Sequence, residues 1–155
     1  MYAPKDHLND FFVQEPDKDY RYNPIWLDAT SRDYKCFHKY ENVDTDSPMT
    51  NLVPLIRMSE MYYIIAEIAT AKEEALDALN KVLYNRGLTE LEDESKLSET
   101  ITEEYKREFW GEGQLFFYYK RKNMPSLYSY TAGEDIEMDA TKYVIPLPLS
   151  ETDFR

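Results

Sequence analysis

Residues 101–121, Ile-Thr-Glu-Glu-Tyr-Lys-Arg-Glu-Phe-Trp-Gly-Glu-Gly-Gln-Leu-Phe-Phe-Tyr-Tyr-Lys-Arg, constrain the fold of this chain more than any other stretch. Ser98 or Thr100 stands where a helix cap belongs, and Glu103 and Glu104 fall in the first turn, where a negative charge favours the helix dipole. Ile101, Tyr105, Phe109, Phe116 and Tyr119 recur at helical spacing once Glu112 is counted as a member of the stripe. The pattern predicts one long helix over residues 99–122. Glu112 then lies on its apolar side, where an unpaired carboxylate is costly, so it needs a cation or backbone donors from another element. Gly111 and Gly113 flank it. Each weakens a helix by roughly 1 kcal/mol relative to alanine, which implies close packing against this turn.

Two shorter helices precede it. Residues 53–71 open with Pro54 at a first-turn position, and Leu55, Met58, Met61, Tyr62, Ile65 and Ile68 form the expected inward face. Arg57, Glu60 and Glu67 run along another side. Residues 73–86 follow, with Leu76, Leu79, Val82 and Leu83 inward and Gly87 as the terminating residue. Ala66, Ala69, Ala71, Ala75 and Ala78 allow the two helices to approach closely, so the pair reads as a tetratricopeptide-like hairpin. Residues 1–52 are irregular and rich in aromatics, with short strands at Ile25–Leu27 and Tyr34–Tyr40. Residues 89–98 are an acidic linker, and 123–142 a loop with an acidic run. Pro146 and Pro148 make residues 143–149 an extended strap across the helices. The fold class is mainly α, a single domain with an irregular segment over 1–52 and a helical core and strap over 53–155.

Composition removes several functions. The 155 residues have a net charge of −12, which argues against nucleic acid and anionic membranes as partners. The single cysteine, Cys36, excludes an internal disulfide and reads as a small apolar residue. No stretch is long enough for a transmembrane helix, and Met-Tyr-Ala-Pro-Lys-Asp-His at the start is not a signal peptide.

Catalytic constellations are equally scarce. Glu104, Glu108 and Glu112 repeat every four residues, but a di-iron site needs Glu-x-x-His on other helices, and His7 and His38 stand in no such motif. A glycosidase needs two carboxylates converging across a cleft, which one helix face does not supply. We read Arg57, Glu60, Glu67, Arg107, Glu108, Glu112 and Arg121 as structural ion-pair formers, with Arg57, Arg107 or Arg121 opposite Glu112. Asp44 and Asp46 lack the glycine and distal glutamate of an EF-hand, and the run from Glu134 to Asp139 reads as a solvated loop. No catalytic residue, metal ligand or cofactor site emerges. Trp26, Tyr20, Tyr22, Tyr128 and Tyr130 sit in polar, loop-rich surroundings and are the candidates for stacking on a neutral ligand.

Four ordered motifs carry a family resemblance. Residues 107–121 resemble the "R-E-x-x-x-E-G-x-x-x-x-D-x-x-R" helix of the SusD/RagB family, with Tyr118 or Tyr119 where aspartate is common. Residues 54–67 are similar to its "P-x-x-R-x-A-E-x-Y-L-x-x-A-E" helix, with Ser59 in place of alanine. Residues 75–88 are similar to "A-x-x-x-L-N-x-V-R-x-R-x-G", and 143–153 to the "Y-x-x-P-I-P-x-x-E" tail. The resemblance implies a C-terminal portion of a longer Bacteroidetes outer-membrane lipoprotein, its lipid anchor outside this chain. It also implies non-enzymatic capture of an oligosaccharide or other nutrient at the extracellular face for a TonB-dependent transporter. The alternatives are a tetratricopeptide-like interaction module without a small ligand, and a carboxylate hydrolase, for which no positioned pair is visible.

Overall fold

The computed structural model describes residues 2–4, 8, 12, 18–40, 53–129 and 134–148. These fall into two compact units, residues 1–112 and 113–155. The protein is mainly α.

In the first unit, β1 (Tyr2–Pro4), β2 (Trp26–Asp28) and β3 (Tyr34–Phe37) form an antiparallel sheet in the order β1-β3-β2. Cys36 of β3 stands opposite Tyr2 on one side and Leu27 on the other. A single helical turn, Tyr22–Ile25, leads into β2. Helices α1 (Met58–Ile68) and α2 (Lys72–Asn85) form the hairpin, and α3 (Leu97–Phe109) packs against α1.

Helix α1 begins at Met58, later than the expected 53, because Arg57 is pulled out of helical geometry (φ −123°) toward acceptors at the end of α3 and on the turn after it. Its inward face also differs. Ser59, Tyr63 and Ala66 are buried, whereas Leu55, Met58 and Ile68 are exposed. The helix is thus rotated by about 100°, one residue's worth. The cause lies on α3, whose buried Glu104 and Glu108 require polar partners, which Tyr63 and Ser59 supply. Helix α2 buries Ala75, Ala78, Leu79, Val82 and Leu83 and leaves Leu76 half-buried.

Helix α2 ends at Gly87 in the left-handed region (φ +78°), with the Leu88 N–H donating to the Leu83 carbonyl at 3.0 Å. Helix α3 is entered through a 3-10 turn, Glu94–Lys96, capped by Asp93, whose Oδ1 accepts from the Ser95 N–H at 2.9 Å. Neither Ser98 nor Thr100 serves as the cap.

The expected long helix is interrupted. Helix α3 stops at Phe109, and α4 (Gln114–Lys122) opens the second unit. Between them Gly111 and Gly113 adopt φ +72° and +76°, values at which a β-carbon is strained. Nothing among the described residues lies within 4 Å of where a Gly113 Cβ would stand, so conformation rather than close packing explains that glycine.

In the second unit, β4 (Ser126–Ser129) pairs antiparallel with β5 (Glu134–Glu137), setting Leu127 opposite Ile136, where the sequence suggests a loop. Tyr143 is buried: its ring lies 5.9 Å from that of Phe116, and its hydroxyl donates to the Met124 carbonyl at 2.9 Å. Val144, Ile145 and Leu147 beyond it are exposed.

Candidate functional site

The first unit is built around a buried lattice of charges at α3. Glu104 has no solvent exposure, and Glu108 and Arg21 almost none. Arg21 Nη1 lies 3.0 Å from Glu104 Oε2 and 3.3 Å from Glu108 Oε2. Asp19 holds that guanidinium in place, accepting from Arg21 Nη2 at 2.7 Å and from its Nε at 2.9 Å. Glu104 also accepts from the Tyr63 hydroxyl at 3.1 Å and from Arg107 Nη1 at 2.8 Å. Glu108 receives Arg86 Nη2 at 2.9 Å and the Ser59 hydroxyl at 3.1 Å.

Glu112, on the turn after α3, meets Arg57 Nη2 at 2.6 Å and Lys39 Nζ at 2.7 Å. Those two cations also donate to the Glu108 carbonyl, and Arg57 donates to the Tyr40 hydroxyl. They therefore stand at the negative end of the α3 dipole.

Burial and charge oppose each other here. Burial disfavours the Arg21 charge, but Glu104 and Asp19 outweigh it and hold the guanidinium above its ordinary value. Burial pushes the Glu108 carboxyl up, but Arg86 and Arg21 pull it below the usual glutamate value. Desolvation and the Glu112 carboxylate lift the Tyr40 phenol to about 12. Burial and Glu104 likewise raise Tyr63 well above an ordinary tyrosine. Every carboxylate in this lattice accepts from cations or hydroxyls, which suits it to holding elements together rather than to moving protons.

A pH dependence follows from Glu108. Its folded-state pKa is depressed, so its contribution to stability is complete above the ordinary value of 4.5 and is lost as pH falls through the folded value. Acid titration followed by circular dichroism is expected to show unchanged helicity near neutrality and loss below that value. Glu108→Gln is expected to flatten this dependence.

The lattice joins Arg57, Arg107, Glu108 and Glu112, but not all the residues singled out from the sequence. Arg121 lies in the second unit, its guanidinium 5.3 Å from the Tyr118 ring centroid. Glu60 and Glu67 are half-buried on α1. Asp19, Arg21, Lys39, Tyr63 and Arg86 escaped the sequence reading.

The candidate stacking residues separate by burial. Trp26 is 2% exposed, with Phe37 at 5.2 Å and Trp110 at 5.6 Å edge-to-face. Tyr22 is buried against Phe12 at 5.1 Å. Both rings pack against aromatic neighbours and present little surface to a ligand. Tyr20, 68% exposed, and Tyr128, 39% exposed, present surface to solvent. The Tyr20 N–H donates to the Arg86 carbonyl at 2.9 Å, and an added Gly87 Cβ would lie 2.8 Å from Tyr20 Cε1, so the ring rests against that glycine. Tyr130, Asp44 and Asp46 lie outside the described residues.

Two cavities open in the first unit. One, of about 400 Å³, lies among Leu88–Leu91, Lys96, Glu103 and Arg107. The other, of about 430 Å³, is a groove between α1 and α2 with Arg57, Arg86 and Glu108 at its base. Among the described residues no helix is long and apolar enough to cross a membrane.

A family model described as the SusD family matches residues 13–152. No curated protein and no solved structure matches the chain.

Proposed function

The chain belongs to the SusD family, and from that membership we propose that it binds a nutrient, an oligosaccharide, without chemical turnover, at the outer-membrane surface beside a TonB-dependent transporter. Members of this family are binding proteins. The observation that carries the proposal is the match itself, which runs through the helical hairpin, α3, α4 and the described part of the tail. The local chemistry is compatible with it. Tyr20 is an exposed ring seated on Gly87 and tied by its backbone to the end of α2, so an edge-fixed aromatic stands ready to meet the face of a sugar. Tyr128 on β4 is a second exposed ring.

The test is calorimetric titration with neutral oligosaccharides. Tryptophan fluorescence is a poor reporter here, because Trp26 is enclosed by Phe37 and Trp110. Tyr20→Ala is expected to weaken binding by about tenfold with an unchanged melting temperature, the scale of a lost aromatic contact. Unaltered affinity in that variant would remove Tyr20 from the site.

One observation favours a second reading, a protein-docking module. Met58 and Ile68 of α1 are 69% exposed, and Met61 and Ile65 lie on the same open side. An apolar stripe of this kind is a protein-binding feature. Saturable oligosaccharide binding separates the first reading from the second.

A further inference from the structure

We propose that the groove between α1 and α2 takes a sugar residue bearing one negative charge, a uronate carboxylate or a sulfate ester; this rests on the oligosaccharide-binding reading above. The groove, about 430 Å³, is within the size range of small-ligand sites. Three cations line it, Arg57, Lys81 and Arg86, against one carboxylate, Glu108. Glu112 pairs with Arg57 and Asp77 with Lys81, so the donors open to a ligand are those these pairs leave, the outer guanidinium edge of Arg86 and the exposed Lys81 ammonium. An anionic ligand oxygen would make a charge-assisted hydrogen bond with either donor.

The base of the groove is preorganised. Arg57 is fixed by Glu112 at 2.6 Å and by the Glu108 carbonyl at 3.1 Å. Arg86 binds Glu108 through Nε at 3.2 Å and Nη2 at 2.9 Å, and its Nη1 makes no hydrogen bond among the described residues. That leaves one guanidinium edge for a ligand oxygen. Among the described residues Lys81 forms its ion pair with Asp77 at 2.7 Å, and both side chains are more than half exposed. Such a surface pair is weak, so Lys81 exchanges partners readily.

The walls suit a pyranose ring. Lys81 Nζ stands over the Tyr62 ring, 5.8 Å from its centroid, so ring and cation form one wall. The Asn85 amide nitrogen donates to the Lys81 carbonyl at 2.7 Å, leaving its oxygen to accept from a sugar hydroxyl. Met58 and Val82 supply apolar surface. Charge selects the ligand, and ring and amide orient it.

The experiment titrates the full chain calorimetrically with a galacturonate trisaccharide, its methyl ester and a galactose trisaccharide carrying a single sulfate ester. At least one charged probe is expected to bind about tenfold tighter than the methyl ester and to weaken with added salt. The probe that shows this identifies the anion. Lys81→Gln, at an exposed position, is expected to weaken the charged probe about three- to tenfold and the methyl ester by a smaller factor. Lys81→Glu is expected to weaken it further. Equal binding of charged and neutral probes, unaffected at Lys81, would overturn this proposal and leave oligosaccharide binding standing. Charged binding unaffected by Lys81→Glu would move the anion away from this groove. Absence of binding to all three would overturn both readings.

Discussion

Glu104→Ala is expected to destabilise the protein by about 3–5 kcal/mol, the cost of breaking a buried ion pair by removing one partner. The carboxylate is fully buried and serves three elements at once. It accepts from Arg21, just before the Tyr22–Ile25 turn, from Tyr63 on α1 and from Arg107 on its own helix. Alanine leaves the Arg21 guanidinium facing Glu108 and Asp19 with one acceptor gone, and it leaves the Tyr63 hydroxyl buried without the acceptor at 3.1 Å. The buried position offers little water to replace these partners. Urea unfolding measures the loss as a fall in midpoint at unchanged slope. Glu104→Gln keeps the shape and one acceptor oxygen, so its loss is expected to be smaller. The double variant Arg21→Ala/Glu104→Ala is expected to lose less than the sum of the single variants, because the two side chains contact each other directly. Strict additivity would mean that Arg21 and Glu104 do not act as a unit.

Gly87→Ala is expected to cost about 3 kcal/mol or more, whereas Gly113→Ala costs only about 1–2 kcal/mol, the strain of a left-handed residue with a β-carbon. The two glycines have nearly the same backbone angle, φ +78° and +76°, so strain alone does not separate them. Surroundings do. A Cβ at Gly87 would lie 2.4 Å from the Lys18 carbonyl oxygen and 2.8 Å from the Tyr20 ring, while one at Gly113 meets nothing within 4 Å among the described residues. The Lys18 oxygen belongs to backbone, so relief requires the segment bearing Asp19, Tyr20 and Arg21 to move. That movement would disturb the Arg21 pairs with Glu104 and Glu108 as well. Thermal melts of both variants, with Tyr20-dependent ligand binding as a second readout, measure the difference. Equal losses would show that the Lys18–Arg21 segment yields freely.

The helical framework was legible because its cues are local. Periodicity located α1, α2 and α3, and Gly87 marked the end of α2. Glu112 was conspicuous because it interrupts an apolar stripe, and Arg57 was among the three arginines offered for it. What stayed hidden depends on distant residues. Arg21 reaches Glu104 across 83 positions, and no local pattern encodes that meeting. The same meeting explains why the inward face of α1 was misassigned. Hydrophobicity favoured Met58, Met61 and Ile65, but buried carboxylates on α3 called for Ser59 and Tyr63. The α3–α4 break was hidden because the apolar stripe continues in helical register across Gly111 and Gly113, whose cost to a helix reads as close packing rather than as a left-handed turn. The β4–β5 hairpin was obscured by the acidic run from Glu134, in which Ile136 stands opposite Leu127. Trp26 and Tyr20 share a polar sequence neighbourhood, yet one is enclosed and the other open, a difference set by Phe37 and Trp110 from other segments.

The most direct test of the account is calorimetric titration of this chain with a panel of neutral and acidic oligosaccharides, with analysis of the saccharide recovered afterwards. The account predicts saturable binding of at least one member, weakened by Tyr20→Ala, and recovery of that saccharide intact. No binding across the panel, or recovery of shortened products, would contradict it.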